Sequence, residues 1–199
     1  MRKFLFAVTA AAALSIAQAE PLPGNAAPAF TAPDLAGKPV SLADHKGKWV
    51  VLEWTNPGCP FVQKHYQSGN MQGLQKKFTG EGVVWLAINT TAPSSSDYLK
   101  PAALADWFKQ QGAAPTAAVM DPDGKVGRAY NARTTPQMFV IDPAGKIVYA
   151  GAIDDKRSAN VADVKTANNY VAQALTEARA GKPVSVASTQ PYGCSVKYP

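Results

Sequence analysis

Cysteine and histidine are both scarce in this 199-residue chain, with two of each: Cys59 and Cys194, His45 and His65. They form neither a Cys-x-x-Cys pair nor a Cys/His cluster with zinc spacing, so no metal or other cofactor is expected. Lysine and arginine give a formal charge of +6, but they are scattered among acids and apolar residues. With no basic stripe carrying interleaved aromatics, nucleic acid is not an expected partner. The apolar run from Phe4 to Ile16 is too short to span a bilayer as a stable helix, and Glu20, Pro21 and Pro23 follow it closely, so no stable membrane anchor is expected. No cysteine stands where a lipid anchor would attach.

That same segment has the form of a secretory signal. Arg2 and Lys3 precede the apolar run, and Ala17-Gln18-Ala19 supplies a cleavage site, so residues 1–19 are assigned to export. The expected product is exported, periplasmic and soluble. Removing the signal lowers the formal charge to +4 and leaves a length suited to one domain, 20–181, with a tail, 182–199, that carries Cys194. In an oxidising compartment two cysteines are either one structural bridge or one redox pair.

Residues 20–38 read as an extended entry segment, followed by a short strand at Val40-Ser41-Leu42. Lys48–Thr55 is an almost continuously apolar run, the pattern of a strand covered on both faces. It breaks at Asn56-Pro57-Gly58. Pro60 then opens a helix expected to run to about residue 78, which places Cys59 at its N-terminus. A strand at Val83–Ile88, a Thr/Ser/Pro loop and a helix carrying Leu99, Leu104, Trp107 and Phe108 come next. The strand Ala117–Met120 and the hairpin 138–141/147–149 follow, and a last helix carries an apolar stripe from Val161 to Ala178. The order βαβα then ββα implies an α/β protein with a mixed central sheet and helices on both faces. No regular pattern is visible after residue 182.

A cysteine in a strand-to-helix turn meets converging backbone N–H groups and the positive end of the helix dipole, which favours the nucleophilic thiolate. The run Val50–Trp54 leading to Cys59-Pro60, the stretch Thr134-Thr135-Pro136-Gln137 through Asp142, and the Gly145-Lys146 hairpin resemble the thioredoxin superfamily. More narrowly they resemble its peroxiredoxin-like redoxins, related to alkyl hydroperoxide reductase and thiol-specific antioxidant proteins. The resemblance covers about residues 25–199 and implies a thioredoxin-like fold. It also implies that Pro136 is the cis-proline beside the active cysteine, that Thr135 offers its backbone to an extended substrate, and that Glu53 is a buried acid accepting protons from thiols.

The chain departs from both family patterns. Cys59-Pro60-Phe61-Val62 stands where thioredoxins have Cys-x-x-Cys, so any second thiol must come from afar. Asn56 stands where peroxiredoxins have the threonine three residues before their cysteine, with Thr55 one place away. Asn56 or Thr55 is then the candidate donor to a peroxide. Arg133, ahead of Arg128, is the candidate to stabilise the thiolate. His65 is expected off the catalytic face, His45 has no evident partner, and Asp154-Asp155-Lys156-Arg157 reads as a solvated turn. Cys194, flanked by a flexible Gly193, is expected to pair with Cys59. The expected activity is a thiol oxidoreductase acting on a peroxide or disulfide and recycled by an external thiol. The alternative is a non-catalytic protein stapled by a permanent Cys59–Cys194 bond.

Overall fold

A computed structural model describes residues 20–199; the expected export signal lies outside the described residues. The centre is a five-stranded mixed sheet ordered β5-β4-β3-β7-β8. Its strands are β3 (Val50–Trp54), β4 (Val84–Asn89), β5 (Ala117–Met120), β7 (Gln137–Ile141) and β8 (Ile147–Gly151). β3 and β4 are parallel, as are β4 and β5, whereas β7 runs antiparallel to β3 and β8 antiparallel to β7. Every residue of β3, β4 and β7 is buried, which explains why these segments lack polar alternation.

The faces are covered unequally. Val51, Trp85, Met138 and Val140 face α1 (Pro60–Gln67), α2 (Asn70–Gly80), α3 (Pro101–Gln110) and α5 (Tyr170–Arg179), whose Val62, Tyr66, Phe78, Leu104 and Leu175 complete that core. The other face, with Leu52, Trp54, Leu86 and Phe139, meets Phe30 and Ala32, Val126 of the short α4 (Lys125–Ala129), and Tyr130. Ala32 belongs to a small hairpin of β1 (Thr31–Pro33) and β2 (Pro39–Ser41). Helices on both faces, as expected, thus means four on one face and a single short one on the other.

Three expectations need correction. The helix expected over 60–78 is two helices, because Gly69 takes φ +76° and breaks the chain between α1 and α2. The helix expected from Val161 to Ala178 is a 3₁₀ segment, Val161–Thr166, followed by α5. Asn169 caps α5, its side chain accepting from Ala172 N. The tail is also ordered: β9 (Cys194–Ser195) pairs antiparallel with β6 (Thr134–Thr135).

Candidate active site at the end of the central strand

β3 delivers the chain to a tight turn built by Asn56. Its Oδ1 accepts from Gly58 N at 2.8 Å, and its carbonyl accepts from Cys59 N at 3.0 Å. Cys59 is the N-cap of α1 in an extended conformation, with Pro60 in the first turn. The sequence-derived placement is therefore found, with Cys59 only 1% exposed. A helix N-terminus stabilises negative charge on such a sulfur when it is free.

Facing it is the Thr135–Pro136 bond, which is cis. Cys59 Sγ lies 3.2 Å from the Thr135 carbonyl oxygen, a distance at which the reduced thiol would donate to it. Cys59 is bonded to Cys194, whose Cα is 5.9 Å away. Cys194 in turn is opposite Thr135 in the β6–β9 pair, and Val196 N donates to Arg133 O at 3.0 Å. The backbone beside the cis-proline is thus occupied by the chain's own tail.

Gly193 serves this contact through close approach. A Cβ at 193 would stand 2.0 Å from Thr135 O, and its φ of +131° is one that side chains rarely adopt. The Gly193→Ala variant should therefore fail to seat the tail and make the Cys59–Cys194 bond about 10- to 100-fold easier to reduce, the scale of 1–3 kcal/mol of backbone strain. Equilibration with glutathione followed by peptide mapping measures this. An unchanged constant would mean that the tail docks by another route.

The other expected residues are placed as follows. Glu53 is fully buried and accepts from Trp85 Nε1 at 2.7 Å, Tyr66 OH at 2.8 Å and Gln75 Nε2 at 3.0 Å. Burial pushes its pKa up, and the three donors oppose the rise. Its hydrogen-bond partners lie on α1, α2 and β4, and neither cysteine is among them. Arg133 is exposed and its Nε reaches Asn131 Oδ1 at 3.5 Å. Arg128 is exposed against the Tyr198 ring, 4.7 Å from its centroid. Asn56 is buried and its Nδ2 donates to Asp97 at 3.3 Å. His45 lines a pocket with Val50 and Ile141, at the end of β3 away from Cys59. Among the described residues no group of three or more His, Cys, Asp or Glu is disposed to hold a metal.

One cluster overturns a sequence expectation. Asp154 is 2% exposed, not a solvated turn residue. It accepts from Lys64 Nζ at 3.4 Å and from the Tyr192 hydroxyl, and Lys64 also donates to Lys156 O at 2.6 Å. His65 is buried beside them, with Nε2 3.4 Å from Tyr192 OH and Nδ1 2.9 Å from Asn70 Nδ2. The amide must donate to Nδ1, which places the ring proton on Nε2. No local signal reveals this cluster, since its members come from three distant segments.

Burial pushes the His65 pKa down to about 4, with Asp154 opposing and Lys64 reinforcing. The unfolded chain therefore binds a proton that the folded chain refuses. His65's stabilising contribution is complete above about pH 6.5 and is lost as pH falls toward 4, about 3 kcal/mol in all. Glu53, with its raised pKa, acts in the opposite sense. A comparison of variants isolates the histidine: urea unfolding at pH 7 and 4.5 should show a shallower loss for His65→Asn than for the natural chain. Parallel slopes would exclude His65 as the source.

A cysteine capping the helix after the central strand, set against a cis-proline on a β5-β4-β3-β7-β8 sheet, defines the thioredoxin-like class of thiol proteins. Within that class the chain belongs to the AhpC/TSA family, whose model matches residues 23–150. It is 31% identical over 125 residues to the thiol-disulfide oxidoreductase ResA of Bacillus subtilis, a match covering 63% of this chain and 64% of that protein. It is 33% identical over 144 residues to a peroxiredoxin candidate of Mycobacterium tuberculosis, covering 64% of this chain and 83% of that one. The chain thus spans just under two thirds of the length of ResA. An uncharacterized conserved protein from Geobacillus kaustophilus has a similar structure, with a TM-score of 0.74 at 26% identity, covering 89% of this chain and 92% of that one. The family match stops short of the segment carrying Cys194.

Proposed function

We propose that this chain is an exported thiol-dependent oxidoreductase in which Cys59 is the nucleophile and Cys194 the resolving thiol. One observation carries the reading: the Cys59–Cys194 bond lies against the Thr135 carbonyl at the cis-proline, with the resolving cysteine presented on a paired strand. The chemistry balances in two stages. Cys59 thiolate attacks one peroxide oxygen, the O–O bond breaks, the sulfur becomes a sulfenic acid, and the other oxygen leaves as water or alcohol after taking a proton. Cys194 then attacks the Cys59 sulfur, forming the disulfide and releasing water. An external dithiol returns two electrons and two protons. Cys194 is the more exposed of the two residues and offers the sulfur for that exchange, with Cys59 leaving as the stabilised thiolate.

Occupation of the Thr135 backbone by the tail favours a small peroxide over an extended protein disulfide as the oxidant. In this reading Thr135 and Pro136 hold the resolving strand, Asn56 shapes the turn, and Glu53 and Arg133 act without direct contact to either sulfur. Export through residues 1–19 places the pair where its oxidised form persists. No helix among the described residues is long and apolar enough to cross a membrane. A second reading, a permanent staple, is favoured by how firmly the tail is held: Tyr198 OH donates to Ala132 O at 2.7 Å, and its ring fills the space beside Gly124 and Gly127. Single-turnover oxidation of the reduced protein separates the two. One equivalent of peroxide should form the Cys59–Cys194 bond as the sole product, whereas a staple would re-form no faster with peroxide than with dissolved oxygen.

A further inference from the structure

We propose that Tyr192 is a positioning residue for disulfide formation, and that the buried Lys64–His65–Asp154 cluster exists to hold it. This rests on the reading of Cys194 as the resolving thiol. Tyr192 lies two residues before Cys194 and is 5% exposed. Its hydroxyl is fully used: it donates to Asp154 Oδ1 and accepts from Lys64 Nζ and His65 Nε2, each at 3.4 Å. The ring packs edge-on against Phe61 with centroids 5.8 Å apart, and Lys64 Nζ lies 5.5 Å from the Tyr192 centroid. One phenol is thus satisfied by a buried cation, a carboxylate and an imidazole.

The geometry explains the placement. Cys59 caps α1, and Lys64 and His65 lie on that same helix five and six residues further along. At 1.5 Å per residue this is about 7.5–9 Å along the axis. The chain bends at Gly193, so a single residue separates the anchored Tyr192 from Cys194. Tying the phenol to Lys64 and His65 therefore confines the second thiol to the neighbourhood of the first, to which it is bonded. α1 carries one sulfur at its end and the anchor for the other sulfur's strand along its length. Asp154, which follows β8, fixes the phenol from the sheet side. The charges suit this anchoring, because Lys64 and Asp154 compensate each other while burial keeps His65 neutral and able to donate.

The test uses Tyr192→Phe, which keeps the ring packing and deletes only the hydroxyl. Two quantities are read: the glutathione equilibrium constant of the Cys59–Cys194 pair, and the rate at which that bond forms after one equivalent of peroxide. The equilibrium should shift about tenfold toward the dithiol, about 30 mV for this two-electron couple, and bond formation should slow by a similar factor. The same substitution in a Cys194→Ser background gives the effect on folding alone, measured by urea unfolding. A constant and a rate that stay at the natural values, with stability lowered equally in both backgrounds, would reduce the cluster to ordinary packing and overturn the proposal. Should Tyr192→Phe fail to fold, Asp154→Asn replaces it, with the same shifts expected and unshifted values equally decisive. The equilibrium needs no substrate. A shifted constant with a Cys59 inert to peroxide therefore upholds the positioning role and defeats the functional reading, while an active Cys59 with an unshifted constant does the reverse.

Discussion

Serine at position 59 is expected to lower peroxide turnover by more than about 10³-fold, the scale on which loss of a covalent nucleophile acts. The reason is local. Cys59 alone combines the N-cap of α1 with the Thr135 carbonyl at the cis-proline, and its backbone is fixed by the Asn56 turn. Serine keeps the size and loses the thiolate, so the fold should be retained. Cys194→Ser should behave differently: the first equivalent of peroxide is still consumed at Cys59, but the sulfenic acid persists and the cycle stops. Mass spectrometry after one equivalent, with a sulfenate-trapping reagent, distinguishes the two variants. If both lost the first oxidation equally, Cys59 would not be the sole point of attack.

Reduction of the disulfide is expected to destabilise the fold by about 3–5 kcal/mol without unfolding it. The bond closes a loop of 135 residues, for which chain entropy sets a limit near 5 kcal/mol. For a chain of this size that is about 6–20 °C in melting temperature. The reduced tail keeps its other ties, among them Tyr192 in the Lys64–Asp154 cluster and Tyr198 against Ala132. A redox pair requires this outcome, because its dithiol form must stay folded to react. Urea unfolding of the oxidised and dithiothreitol-reduced protein measures it. Complete unfolding on reduction would identify a structural staple.

Much of the frame was legible because burial on both faces leaves a simple mark. β3, β4 and β7 are near-continuous apolar runs, and Pro60 after the Asn56-Pro57-Gly58 turn fixes where α1 begins. The pairing of Cys59 with Cys194 was legible from the count of thiols and the inferred export, and Pro136 from the resemblance. The break at Gly69 was missed although Ser68-Gly69-Asn70 carries a turn signal, because apolar residues recur on both sides of it. The tail strand was invisible because two paired residues have no periodicity. Asp154 was misread as solvated, and its burial with Lys64 and His65 went unseen, for a different reason. Charge normally marks solvent exposure, and the partners that let these groups be buried are 90 and 128 residues away in the chain. Gly193 was read as a source of flexibility, whereas it permits a close approach of the tail to Thr135 that a Cβ would block.

A working redox couple of Cys59 and Cys194 is distinguished from a structural bond by its midpoint potential. Titration of the purified protein against glutathione and dithiothreitol buffers, with thiols trapped by alkylation and counted by mass, should give a midpoint well above about −300 mV, with both cysteines freed together. A midpoint below that value, with Cys59 staying bonded under mild reductant, would contradict the account and leave the disulfide as a structural tie.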